Sequence, residues 1–78
     1  MSLITNWRKG NYPKKYKVEV DGVDYQFGDQ RYEQFEDNTP LKLYSNLDHH
    51  DPARRRLYRL RHQHNKGIPA RLSQIYLW

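Results

Sequence analysis

Residues 15–27 read KYKVEVDGVDYQF, and this stretch decides the fold. Tyr16, Val18 and Val20 alternate with polar residues, Asp21-Gly22 follows, and Val23, Tyr25 and Phe27 resume the alternation. A period of two places successive side chains on opposite faces of a strand. The Asp-Gly pair supplies the two positive-φ residues of a two-residue type I′ turn. That turn pairs Val20 with Val23, Val18 with Tyr25 and Tyr16 with Phe27 on one apolar face. Lys17, Glu19, Asp24 and Gln26 fall on the other, wet face. Two strands alone are barely stable in water, so the apolar face requires a cover.

The candidate cover lies downstream. Asp51-Pro52 opens a helix over residues 52–64, because Asp51 caps free amides and Pro52 suits the first helical position. Gly67 stops it, and Pro69 starts a shorter C-terminal helix in which Leu72, Ile75 and Tyr76 share a side. Ala53, Leu57, Leu60 and His64 form one stripe of the main helix, which predicts packing of that stripe on the hairpin. Between hairpin and helix, Gly28 ends the second strand and residues 29–37 have room for one or two helical turns. Residues 38–48 read as compact loop with short helical pieces. Residues 1–14 show no sustained period and read as an extended basic arm with apolar anchors at Leu3, Ile4 and Trp7. The expected architecture is a small single α+β domain over residues 15–78, a β-hairpin packed on one main helix, with a short C-terminal helix and the arm.

Composition narrows the function classes. A chain of 78 residues buries only about 60% of its unfolded surface, so its core is thin. Cysteine is absent, which excludes disulfides, thiolate metal sites and a Cys nucleophile. No apolar run approaches the roughly 20 residues of a membrane span. The opening MSLITNW lacks the apolar segment of a signal peptide, which points to a protein kept in its compartment of synthesis. Aromatic residues make up 14% of the chain, too many for a disordered segment.

Charge falls in three blocks. Residues 1–18 carry five basic side chains and no acid, residues 19–51 hold all nine acids, and residues 52–78 carry seven basic side chains and no acid. Self-neutralisation in the fold competes with binding of a polyanion. Arg54, Arg55 and Arg56 stand in the first turns of the helix, where the dipole is already positive and each exposed cation costs about 0.3–1 kcal/mol. Something negative should receive them, and this chain's own acids, such as Asp48, Glu33 or Asp37, are candidates.

Catalytic chemistry is sparse. His62 and His64 are two apart on a helix and cannot chelate one ion, so no metal or cofactor is expected. His50-Asp51 reads as a cap element, and no Ser stands beside a base. The scattered glycines form no phosphate loop. So small a domain leaves little room for a substrate cleft, and no small-molecule substrate is expected. The residues predict a protein that is not an enzyme.

Phe27-Gly28-Asp29-x-x-Tyr32-x-x-Phe35, then His49-x-Asp51-x-x-Arg54-Arg55-x-x-Tyr58-x-x-Arg61-His62, then Leu77-Trp78, resembles a family of short proteins of nucleocytoplasmic large DNA viruses, with similar sequences in some tailed phages. The resemblance covers residues 15–78. It implies a virion component made in the cytoplasm of the infected cell, with a minor capsid protein that bridges larger capsid subunits as the leading expectation. In that reading Leu3, Ile4, Trp7, Leu77 and Trp78 bind partner subunits, while Asp51, Arg54, Arg55, Tyr58 and Arg61 form a structural clamp between loop and helix. The alternative is a small nucleic-acid-binding accessory protein that uses Lys14, Lys15, Arg55 and Arg59 on phosphates.

Overall fold

The computed structural model describes residues 3–78, in the order β1 (Ile4–Lys9), β2 (Tyr16–Val20), β3 (Val23–Phe27), a 3-10 turn (Ser45–Leu47), α1 (Pro52–His62) and α2 (Ile68–Tyr76). Strands β2 and β3 pair antiparallel with Tyr16 opposite Phe27, Val18 opposite Tyr25 and Val20 opposite Val23, the register expected from the alternation. Asp21 and Gly22 sit at φ 52° and 82°, the two left-handed positions of the type I′ turn.

The first departure is at the N-terminus. Residues Ile4–Lys9 are not an arm but the third strand, paired antiparallel to β2 with Ile4 opposite Val20 and Lys9 opposite Tyr16. A boundary at residue 14 therefore does not exist, and one antiparallel sheet of order β1-β2-β3 runs across it. Ile4 and Trp7 are three apart, so a regular strand would send them to opposite faces. A bulge between Thr5 and Arg8, with Asn6 at φ 56°, inserts one residue and returns Trp7 to the face of Ile4. Trp7 then meets Tyr16, Phe27 and Tyr76 edge-on, with ring centroids 6.2, 6.1 and 4.9 Å away.

The second departure is the identity of the cover. Helix α2 packs on β3 and contributes Leu72, with Leu77 following it, to a core of Tyr16, Val18, Val20 and Phe27. Leu57 and Leu60 of α1 are 57% and 52% exposed, so the stripe assigned to the hairpin faces solvent. His64, placed on the same stripe, is exposed as well. Helix α2 wins the position because it presents Leu72 and Tyr76 beside Leu77 without a single acid or base on that side, whereas α1 holds five arginines among eleven residues.

Residues 28–51 form no helix beyond the 3-10 turn, because their polar side chains take the backbone bonds instead. The buried Asp37 carboxylate accepts from Tyr16 Oη, from Thr39 Oγ1 at 2.6 Å, and from the amides of Thr39 and Tyr44 at 3.0 and 3.1 Å. Burial alone would raise its pKa, but these four donors outweigh that effect and hold it below the usual carboxylate value. Burial and the bond to Asp37 push the Tyr16 hydroxyl upward, so it remains a donor. Its oxygen also accepts from the Leu43 amide at 2.9 Å.

Tyr16→Phe deletes both bonds while leaving the ring in place, and strands a buried carboxylate without one of its donors. It should lower unfolding free energy by about 1–3 kcal/mol in urea melts. Tyr25→Phe, on the partly exposed edge of the same sheet, should stay within about 0.5 kcal/mol.

Candidate functional site

The residues of the sequence motif converge where the loop after β3, α1 and the Leu77-Trp78 segment meet. Gly28 adopts φ 77°, and a Cβ there would stand 3.0 Å from Leu77 Cδ1 and from Lys15 Cβ, so glycine is needed for this close approach. The main-chain oxygen of Leu77 accepts from the amides of Phe35 and Glu36 at 3.0 and 3.2 Å, which fastens the end of α2 to the loop. Asp51 caps α1 through Oδ1, which accepts from the amides of Ala53 and Arg54 at 2.9 and 3.3 Å.

Helix α1 is held by arginines and rings rather than by aliphatic burial; none of its residues is buried. Arg55 Nε and Arg59 Nη2 donate to the main-chain oxygen of Trp78 at 2.7 and 3.0 Å. The Arg55 guanidinium also lies 4.6 Å from the centroid of the Phe35 ring. Tyr58 stacks on Trp78 at 4.2 Å with an interplanar angle of 3°. Arg54 Nη1 reaches Glu33 Oε1 at 3.0 Å across a solvent-exposed gap. Arg61 makes no hydrogen bond or ion pair among the described residues. Of the five clamp residues, Arg54 and Arg55 touch the loop at Glu33 and Phe35, Tyr58 touches Trp78, Asp51 caps α1 itself, and Arg61 stands apart.

The expected partner-binding set divides. Trp7, Leu77 and Trp78 are used within the chain, the first two in its core and the third against Tyr58 and His49. Leu3 is exposed, and Ile4 borders a shallow apolar groove with Val20, Ile68, Leu72 and Ile75. The nucleic-acid set divides too. Lys15 is 2% exposed, with Nζ donating to the Tyr32 main-chain oxygen at 2.9 Å and to Gln34 Oε1. Burial pushes its pKa down to about 8, against the pull of Asp37, Asp29 and Asp48. Lys15 is therefore withdrawn from solution and Arg55 partly so, while Lys14 and Arg59 are exposed, Arg59 with one bond to Trp78.

A cleft of about 550 Å³ opens beside the clamp, lined by Lys14, Asp29, Tyr32, Arg54, Arg61 and His62 among others. Its acids are already engaged: Asp29 accepts from Arg31 at 2.7 Å, and Glu33 accepts from Arg54. Among the described residues no group of His, Asp and Glu is close enough to hold a metal ion, and no helix is long and apolar enough to cross a membrane.

Sequence reasoning missed His49 as an anchor. Its Nδ1 accepts from the Asp51 amide at 2.9 Å, and its ring lies 5.2 Å from Trp78 and 6.1 Å from Phe35. The spacing His49-x-Asp51 carried that signal, since an acceptor two residues before a cap can reach forward to the cap's own amide. No family model, curated protein or solved structure matches this chain.

Two expectations follow from this geometry. Arg55→Ala removes a charge-assisted bond and a ring contact and should cost about 1.5–3 kcal/mol in urea melts. Arg54→Ala, which removes only an exposed pair, should cost less than about 1 kcal/mol. Burial first, and the nearby Arg54 charge second, lower the His49 pKa from its ordinary value. The unfolded chain takes up this proton near pH 6.5 while the folded chain resists it, so stability is full above about pH 6.5 and is lost as pH falls below it. Thermal melts between about pH 6.5 and 5 should fall less steeply for His49→Asn, which keeps the acceptor and does not titrate.

Proposed function

We propose that this protein is a non-enzymatic structural component of a virion, a minor capsid protein that bridges larger capsid subunits. The observation that carries the reading is the outward display of Leu57 and Leu60 on a helix whose opposite side already fastens it to the domain. Large apolar side chains grouped on one exposed face mark contact surfaces. The resemblance to short proteins of large DNA viruses supports the choice of a viral shell as the place of contact. Partner binding rests on the α1 face and on Leu3 and Ile4, because Trp7, Leu77 and Trp78 are occupied internally. The nucleic-acid alternative has less support, because Lys15 is buried and Arg55 is partly buried against Trp78.

The test is location. Particles purified from infected cells and stripped layer by layer should release this chain with the shell proteins, as read by quantitative mass spectrometry of each layer. Recovery only with the genome, or absence from particles, would overturn the reading.

A further inference from the structure

The outer face of α1 has a character that names its partner. At 100° per residue, Ala53, Leu57 and Leu60 fall together, and Arg56 and Arg61 border them on either side. The inner face is fully engaged by Arg55, Tyr58 and Arg59. Arg56 and Arg61 make no hydrogen bond or ion pair among the described residues, and no acid occupies the first turn of the helix. An apolar seam with one unpaired arginine on each side, Arg61 also reaching the edge of the cleft, is the complement of a helix whose apolar seam is flanked by acids. We infer that the outer face of α1 docks an acidic amphipathic helix from another protein, an inference that rests on the proposed role as a protein-binding component.

Charge complementarity selects this occupant over three others. A second copy of this chain offers few free acids, because Asp24, Asp29, Glu33 and Glu36 are paired with Arg8, Arg31, Arg54 and His50, and Asp51 caps α1. An anionic membrane takes helices with a broad apolar face of Trp, Phe or Leu, whereas α1 presents only Leu57 and Leu60 there and its one aromatic, Tyr58, is turned inward onto Trp78. A nucleic acid would bring phosphates against Leu57 and Leu60 at the centre of the face, where no donor stands.

The full chain is titrated with four probes: a leucine-seamed helical peptide flanked by Glu, the same peptide with Lys for Glu, a double-stranded DNA oligonucleotide, and phosphatidylserine–phosphatidylcholine vesicles. The Glu peptide should bind at least about tenfold tighter than the Lys peptide. L57S/L60S and, separately, R56Q/R61Q should each weaken it about tenfold or more. Both leucines and both arginines are exposed, so circular dichroism should be unchanged. If L57S/L60S unfolds, R56Q/R61Q decides alone. Equal binding of the two peptides, no measurable peptide binding, tighter binding to DNA or vesicles, or self-association abolished by L57S/L60S would each overturn the inference. Incorporation into particles separates the two levels. A shell-located chain indifferent to L57S/L60S sinks the α1 inference and spares the shell role, whereas a chain absent from the shell fails that role while the peptide titration still decides the docking face.

Discussion

One buried carboxylate organises the loop over residues 28–51, which has no regular structure beyond a 3-10 turn. Asp37 collects donors from Tyr16 on β2, from Thr39 beside it and from Tyr44 further along the loop. A carboxylate withdrawn from water is costly unless each lone pair is answered, and here the answer comes from three separate stretches of chain. The loop is therefore ordered by the requirement to satisfy one charge. Asp48 extends the arrangement: its Oδ1 accepts from the Asp37 amide at 2.8 Å and from Gln34 Nε2 at 2.5 Å. Gln34 in turn accepts from Lys15, whose stem lies under Gly28.

Such a polar interior answers a shortage. Only six apolar side chains are buried among the described residues: Tyr16, Val18, Val20, Phe27, Leu72 and Leu77. That number covers one face of a three-stranded sheet and little more. The loop and α1 lie beyond its reach and are attached by hydrogen bonds, stacked rings and guanidinium contacts. Directional contacts of this kind tolerate water at their edges, which explains how α1 is held in place with no buried residue. They also free the aliphatic side chains of α1 for the outer face.

Legibility followed physical locality. The hairpin was readable because a period of two and an Asp-Gly turn are properties of adjacent residues, and the start of α1 because Asp51-Pro52 is a local cap. Strand β1 was not, because its bulge at Asn6 breaks the period that would have shown Ile4 and Trp7 on one face. Amphipathicity showed that Ala53, Leu57 and Leu60 share a side of α1 but carried no sign for in or out. That sign came from Trp78, whose ring and main-chain oxygen capture Tyr58, Arg55 and Arg59 from a distance in sequence. The Asp37 network has no period and no motif, since its members meet only after the hairpin has formed.

The contact of Trp7 with Tyr76 joins the first strand to the last helix. While the chain emerges from the ribosome, the hairpin and β1 can pair, yet the apolar face of the sheet stays open until α2 has been synthesised. The nascent sheet must therefore persist as an uncovered intermediate or wait as an unpaired chain. Closing so long a loop delays the reward of the contact until after its entropic cost. The bulge in β1 gives its exposed edge a twist that discourages pairing with neighbouring chains before that contact closes.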